Sequence, residues 1–179
     1  MKERRSLTVG FRAGYAGGEK PKKVNRGTFQ MKSLQPELDG VQYIDQWIGG
    51  SSGGGQEIAQ GRDGNIETRL YGGGVVEENL EELGITKEDV DNYRAQKLKE
   101  LPDRTRLEEE IELQTDGDWQ YGYKLLELPA AFGKIPLKMA IEFINYRRAL
   151  VFAHGFILTK VKNYKDRGEQ FKKEVNRLS

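Results

Sequence analysis

The chain has 179 residues, of which 32% are charged and 36% hydrophobic, with a formal net charge of +1, one histidine and no cysteine. That length suits a single domain with a sizeable core. The missing cysteines exclude disulfides, zinc ribbons, iron–sulfur ligation and thiol nucleophiles, and a lone histidine leaves any metal site to carboxylates.

No apolar run approaches the ~20 residues of a membrane span, and the opening MKERRSLTVG lacks a signal peptide's apolar core, so a cytoplasmic protein without membrane contact is expected. The charge is unevenly spread. Residues 77–118 hold 15 Asp/Glu against 6 Lys/Arg, a balance of −9, whereas 1–76 stand at +3 and 119–179 at +7. The plain reading is solvated helix faces and a basic C-terminal helix. The sharper one joins Lys20, Lys22, Lys23 and Arg26 with Lys160, Lys162, Lys165, Arg167, Lys172 and Lys173 into an anion-binding face. Nucleic acid ranks low as a partner, because no aromatics alternate with those bases.

In chain order, residues 6–16 alternate loosely and predict an opening strand, followed by a polar, basic loop through Asn25-Arg26-Gly27. Thr28 to Leu34 predicts a second strand. Val41 to Ile48, aromatic and β-branched between Asp39-Gly40 and Gly49-Gly50, predicts a third. Gln56 to Gln60 and Ile66 to Tyr71 flank a Gly61-Arg62-Asp63-Gly64-Asn65 turn and should pair as an antiparallel hairpin. The period then changes. Thr86 with Asp89 resembles a capping box, and Val90, Tyr93, Leu98 and Leu101 trace one stripe of a helix over 86–101 that Pro102 stops. Arg104 to Leu113 is weakly helical or extended. A turn at Asp116-Gly117-Asp118 leads into a strand over 119–128. Residues 139–143 alternate as a strand, Asn145 to Arg148 form a hairpin, and Ala149 to Leu158, apolar on both faces, predicts a central strand. Asp166 with Glu169 caps a terminal helix over 166–178 with Phe171, Val175 and Leu178 on one face.

Two β-rich stretches share an order of elements: Tyr43…Trp47, a Gly corner and Glu57-Ile58, then 70–76; and Tyr121…Tyr123, a corner at Phe132-Gly133 and Ile141-Glu142-Phe143, then 151–157. The expected fold is therefore α+β: a curved antiparallel sheet or incomplete barrel from two pseudo-repeated strand sets, with two or three flanking helices. The halves fall at about 6–76 and 117–160 of one domain.

Arg12 to Gly18, Tyr43-Ile44-Asp45-Gln46-Trp47, Gly55-Gln56-Glu57, Tyr71-Gly72-Gly73 and His154-Gly155-Phe156-Ile157 resemble a bacterial domain family of unknown function whose members often follow an Xre-type helix-turn-helix. The resemblance covers about residues 6–160 and implies no known activity. The sequence departs from the pattern: no helix-turn-helix is expected within residues 1–179, Lys134 and Ile135 stand in the second copy where the first has Gln56 and Glu57, and His154-Gly155-Phe156 replaces a His-Gly-Gly-like ending. Residues 150–157 with Lys160, Lys162 and the basic tail are also similar to the last strand and tail of RelE/HigB-type ribosome-dependent ribonuclease toxins, which would imply catalysis by His154, Lys160 and Lys162.

The Gly49–Gly55 run ends in no Gly-Lys-Ser/Thr and precedes no helix, so it is neither a Walker loop nor a dinucleotide fingerprint. It reads as a wide sheet corner whose amides could hold an anion. Gln56 and Glu57 point to opposite faces. Glu57, if inward, requires Arg69 or Tyr71 as partner; otherwise it serves as a general base or ligand acceptor beside Tyr43, Trp47 and Tyr71. His154 reads either as a buried neutral histidine or as a proton-transferring one, the second needing Glu57 or Glu142 nearby. Glu108, Glu109, Glu110 and Glu112 lack calcium-loop spacing and read as a solvated face. The leading expectation is a non-catalytic binding or sensory module, without cofactor or metal, that takes a small polar or anionic molecule on Tyr43, Trp47, Gln56, Glu57, Arg69, Tyr71 and His154. The alternatives are a small hydrolase or RelE-like ribonuclease using His154, and a protein-interaction partner in a phage or host-defence system.

Overall fold

The computed structural model describes residues 6–100, 110–128 and 137–161. Its elements are α1 (Ser6–Ala13), β1 (Lys22–Arg26), β2 (Phe29–Leu34), β3 (Gln42–Gly49), β4 (Ser52–Gln60), β5 (Ile66–Val75), α2 (Glu77–Leu83), α3 (Lys87–Glu100), β6 (Ile111–Asp116), β7 (Trp119–Leu126), β8 (Leu137–Tyr146) and β9 (Ala149–Val161). The nine strands form one antiparallel sheet in the order β1-β2-β3-β4-β5-β9-β8-β7-β6. The fold is α+β, and the sheet stays open, with β1 and β6 as edges. β9 lies beside β5 at the centre, where its apolar run placed it.

Local chemistry sets the turns. β4 and β5 meet across the Gly61–Asn65 turn in a register that puts Glu57 opposite Arg69. β8 and β9 join through Arg147 and Arg148, both at positive φ (48° and 70°), the backbone that a tight hairpin between right-twisted strands demands. The Arg147 side chain donates from Nε to Asp118 Oδ2 at 2.9 Å, tying this hairpin to the β6–β7 turn. α3 begins at the expected box: the Thr86 amide donates to Asp89 Oδ2 at 2.8 Å and the Asp89 amide to Thr86 Oγ1 at 3.2 Å. Its buried stripe holds Val90, Tyr93 and Leu98.

Four expectations need correction. Residues 6–16 open not with a strand but with α1, which buries Leu7, Gly10 and Phe11 at helical spacing. A Cβ on Gly10 would fall inside the Tyr43 ring, 2.0 Å from its Cδ2, so glycine lets the helix lie directly on β3. The basic loop contains β1, which pairs with β2. Gly49–Gly55 is no wide corner: the chain turns tightly at Gly50-Ser51, and Gly49 already faces Gly53 in the β3–β4 ladder. α2 lay in a stretch with no predicted element, although Leu80 and the left-handed cap Gly84 (φ 65°) mark it. Leu101, the Phe132-Gly133 corner, the 166–178 helix and the basic residues from Lys162 onward lie outside the described residues.

α1 and α3 cover one face of the sheet. Its core joins Tyr43, Ala59, Tyr121, Tyr123, Ile144 and Phe156 to Leu7, Phe11, Val90 and Leu98 of the helices. Tyr93 of α3 stacks on Trp119 at 4.8 Å between ring centres.

Candidate functional site

Between the helices and this inner face lies a cleft of about 270 Å³. The ladder registers show how it is made. One inward-facing row crosses the sheet as Gly49, Gly53, Gly73, His154 and Glu142. Three consecutive positions without side chains leave a hollow beside the imidazole. The next row supplies walls with Trp47, Gly55, Tyr71 and Phe156, and the row after it places Asp45, Glu57 and Arg69. Gly73 has no substitute, for at φ 142° a Cβ there would sit 2.1 Å from the Ala153 carbonyl oxygen. From above, Phe11, Tyr15, Lys87, Asp91 and Arg94 close the cleft, and Lys32 reaches it from β2.

Two buried carboxylates anchor the polar groups. Glu57, 1% exposed, accepts from Tyr43 Oη at 2.6 Å and pairs with Arg69 Nε. Glu142, 0% exposed, accepts from Tyr121 Oη at 2.9 Å and from Arg94 Nη2 at 2.8 Å. Each guanidinium is also held by rings. Arg69 lies 5.4 Å from the Phe11 centroid and 5.3 Å from that of Phe156, and Arg94 lies 4.8 Å from Phe152 and 5.6 Å from Tyr15. Burial pulls the pKa of each arginine down, but the paired glutamate and the neighbouring tyrosines together raise it by more, so both stay charged. Tyr71 Oη donates to Asp45 Oδ1 at 2.7 Å. Burial first, and then the adjacent carboxylates, push Tyr43 and Tyr71 far above the ordinary phenol value, which keeps both hydroxyls protonated as donors.

Of the residues expected at a site, Trp47, Glu57, Arg69, Tyr71 and His154 meet at this cleft. Tyr43 stands behind Glu57 and positions it. Gln56 is exposed on the opposite face, opposite Leu70 on β5. The ion pair of Glu57 forms with Arg69, whereas Tyr71 reaches past it to Asp45. His154 packs against Phe152, Tyr71 and Phe156 at 4.6, 5.9 and 6.0 Å between ring centres. Glu142 is its cross-strand neighbour, but that carboxylate is engaged by Arg94 and Tyr121. The side chain of Lys160 and all of Lys162 lie outside the described residues, as do Glu108 and Glu109; Glu110 and Glu112 are exposed. Sequence reasoning missed Arg94, Asp45 and Lys32. For Asp45 the signal was available, since the Tyr43-Ile44-Asp45-Gln46-Trp47 alternation puts it on the same face as Tyr43 and Trp47.

Among the described residues, no group of three or more His, Asp or Glu side chains is arranged to hold a metal ion, and no helix is long and apolar enough to cross a membrane. Comparison of the chain with protein-family models, curated proteins and solved structures gave no match.

Proposed function

We propose that the chain is a binding or sensory module that takes a small polar or anionic molecule in the cleft between α1, α3 and the inner face of β3, β4, β5 and β9. One observation carries this reading: Glu57, which lines a preformed hollow, and Glu142, fully buried behind the Arg94 that lines it, are each locked by an arginine and a tyrosine, and Asp45 in the lining accepts from Tyr71. General acid–base catalysis needs a group that exchanges a proton near working pH. A carboxylate whose oxygens are already engaged by an arginine and a tyrosine is poorly placed to reach a substrate proton, but it holds arginines and aromatic rings rigidly for recognition. Trp47, Tyr71 and His154 offer ring surfaces, the Gly49, Gly53 and Gly73 row offers close backbone approach, and Lys32 supplies positive charge at the mouth.

The strand order supports a related reading, that the two meanders are copies of one unit. β3, β4 and β5 correspond to β7, β8 and β9, and the middle strand of each carries the buried glutamate. A best superposition of the triplets that separates Glu57 from Glu142 would break that correspondence.

A thermal-shift panel of nucleotides, aromatic carboxylates and small organic acids tests the binding reading. A ligand at 100 times its dissociation constant adds about 2.7 kcal/mol, so one chemical class should raise the melting temperature, and Trp47→Ala should abolish the rise. Conversion of a panel compound to product, or shifts that Trp47→Ala leaves intact, would overturn it.

A further inference from the structure

The sheet's two faces carry charge the wrong way round for an exposed surface. On the five middle strands β3, β4, β5, β9 and β8, the charged side chains with a described position (Asp45, Glu57, Glu67, Arg69, Lys138 and Glu142) share the inward-facing set of positions on the helix side. The outward-facing positions are the alternate residues from Gln42 to Ile48, Ser52 to Gln60, Ile66 to Gly74, Leu137 to Asn145 and Ala153 to Thr159, and none of them is Asp, Glu, Lys or Arg. In a chain with 32% charged residues, an open sheet face would ordinarily alternate apolar-in with polar-out. Here the outer face leaves Leu70 50%, Ile48 44% and Ile157 37% exposed, with Leu70 and Ile157 directly opposite each other on the two central strands.

Beside that pair the face is flat. Gly54, Gly72 and Gly155 are cross-strand neighbours in one outward row. Neither Gly72 nor Gly155 is at positive φ. A Cβ would come no closer than 3.7 Å to another atom at Gly72 and 3.9 Å at Gly155. Neither φ nor a clash therefore requires glycine at either place, the ladder has no bulge there, and glycine weakens a strand interior; close approach of another surface is a physical reason for it.

We propose that this outer face is the interface of a homodimer, with the sheets of two copies packed face to face across the β5–β9 pair. Apart from the Arg26 guanidinium, which reaches from β1 to donate to Gln46 Oε1 at 3.3 Å at the β3 margin, the patch is uncharged, and such a surface is compatible with its own copy because a twofold axis sets identical patches against each other. The size also fits. Five strands about 4.8 Å apart, with outward runs about 25 Å long, present roughly 600 Å² of flat surface, close to the ~800 Å² per partner of a standard stable interface. Lys124, the outward residue of β7 in the row of Ile141, begins the charged rim. The cleft lies on the other face, so the dimer leaves it open.

Light scattering on the full chain across a concentration series should give twice the 20.4 kDa of one copy. Leu70→Lys should shift it to the monomer mass with an unchanged circular dichroism spectrum. Because the chain has no cysteine, Ile157→Cys should cross-link through itself on mild oxidation, whereas Leu113→Cys on edge strand β6 should not. A wild-type monomer at every concentration, a dimer that survives Leu70→Lys, or equal cross-linking at both cysteines would overturn the proposal. A monomer that sediments with phospholipid vesicles would overturn it in favour of a lipid surface on this face.

Discussion

The meander β3–β4–β5 and the meander β7–β8–β9 bury the same chemistry by different means. In each, a glutamate on the middle strand accepts from a tyrosine on the strand farther from the sheet centre, Tyr43 to Glu57 and Tyr121 to Glu142. The charge is then balanced differently. Arg69 comes from β5, directly across from Glu57, whereas Arg94 descends from α3. A buried carboxylate must be paired wherever it sits. The first solution needs only a hairpin register, but the second makes the ion pair a staple between helix and sheet. The first meander therefore builds most of the cleft floor, to which β9 adds His154 and Phe156, and the second also fixes its roof.

The largest effects should come from breaking either pair. Arg69→Ala and Arg94→Ala each strand a buried carboxylate and should cost about 3–5 kcal/mol in urea unfolding. The comparison sharpens in the near-ultraviolet circular dichroism of the folded variants. Arg94→Ala should weaken the signal of the Trp119–Tyr93 stack, because it loosens α3, and Arg69→Ala should preserve it. Identical spectra would mean that Arg94 is no staple.

A smaller loss is expected from the tyrosines. Tyr43→Phe and Tyr121→Phe each remove one hydrogen bond to a charged group, worth about 1.5–3 kcal/mol. Tyr43 also predicts a pH dependence. Its folded pKa is raised above the unfolded value of 10.0 by burial and then by Glu57 and Asp45. The unfolded phenol alone ionises above that pH, so its contribution is complete below pH 10 and declines as pH rises beyond it. Tyr43→Phe should therefore flatten the alkaline fall in melting temperature; an equally steep fall would contradict the burial of its hydroxyl.

The smallest effect concerns how α3 is held. Thr86→Ala removes the capping box and should cost about 1 kcal/mol, with the Arg94 pair intact. A loss as large as that of Arg94→Ala would place the control of α3 at its first turn rather than at Glu142.

The sequence made the middle strands legible because a two-residue period bounded by Gly and Asn turns is local information. Once Gly61 to Asn65 is read as a hairpin, Arg69 becomes a natural partner for Glu57, and both appear in the structure as a pair. α1 was misread because Thr8 and Val9 favour strands in isolation, while the gain from setting Gly10 against the Tyr43 ring exists only after β3 is in place. The glycines after Ile48 were visible as a cluster, but not as a ladder whose inward members hollow the cleft and whose outward members flatten the far face.

By itself, then, the chain determined an α+β protein with strands near 41–48, 56–60, 66–71, 119–128 and 149–158 and a capped helix after Thr86, because propensity, turn chemistry and capping act over a few residues. Only the tertiary structure decided that Arg94 reaches Glu142 from 48 positions away, that Tyr71 serves Asp45, and that the charges gather under the helices. Those outcomes depend on which face of the sheet the helices cover, and that is set by the packing of distant segments rather than by any local pattern.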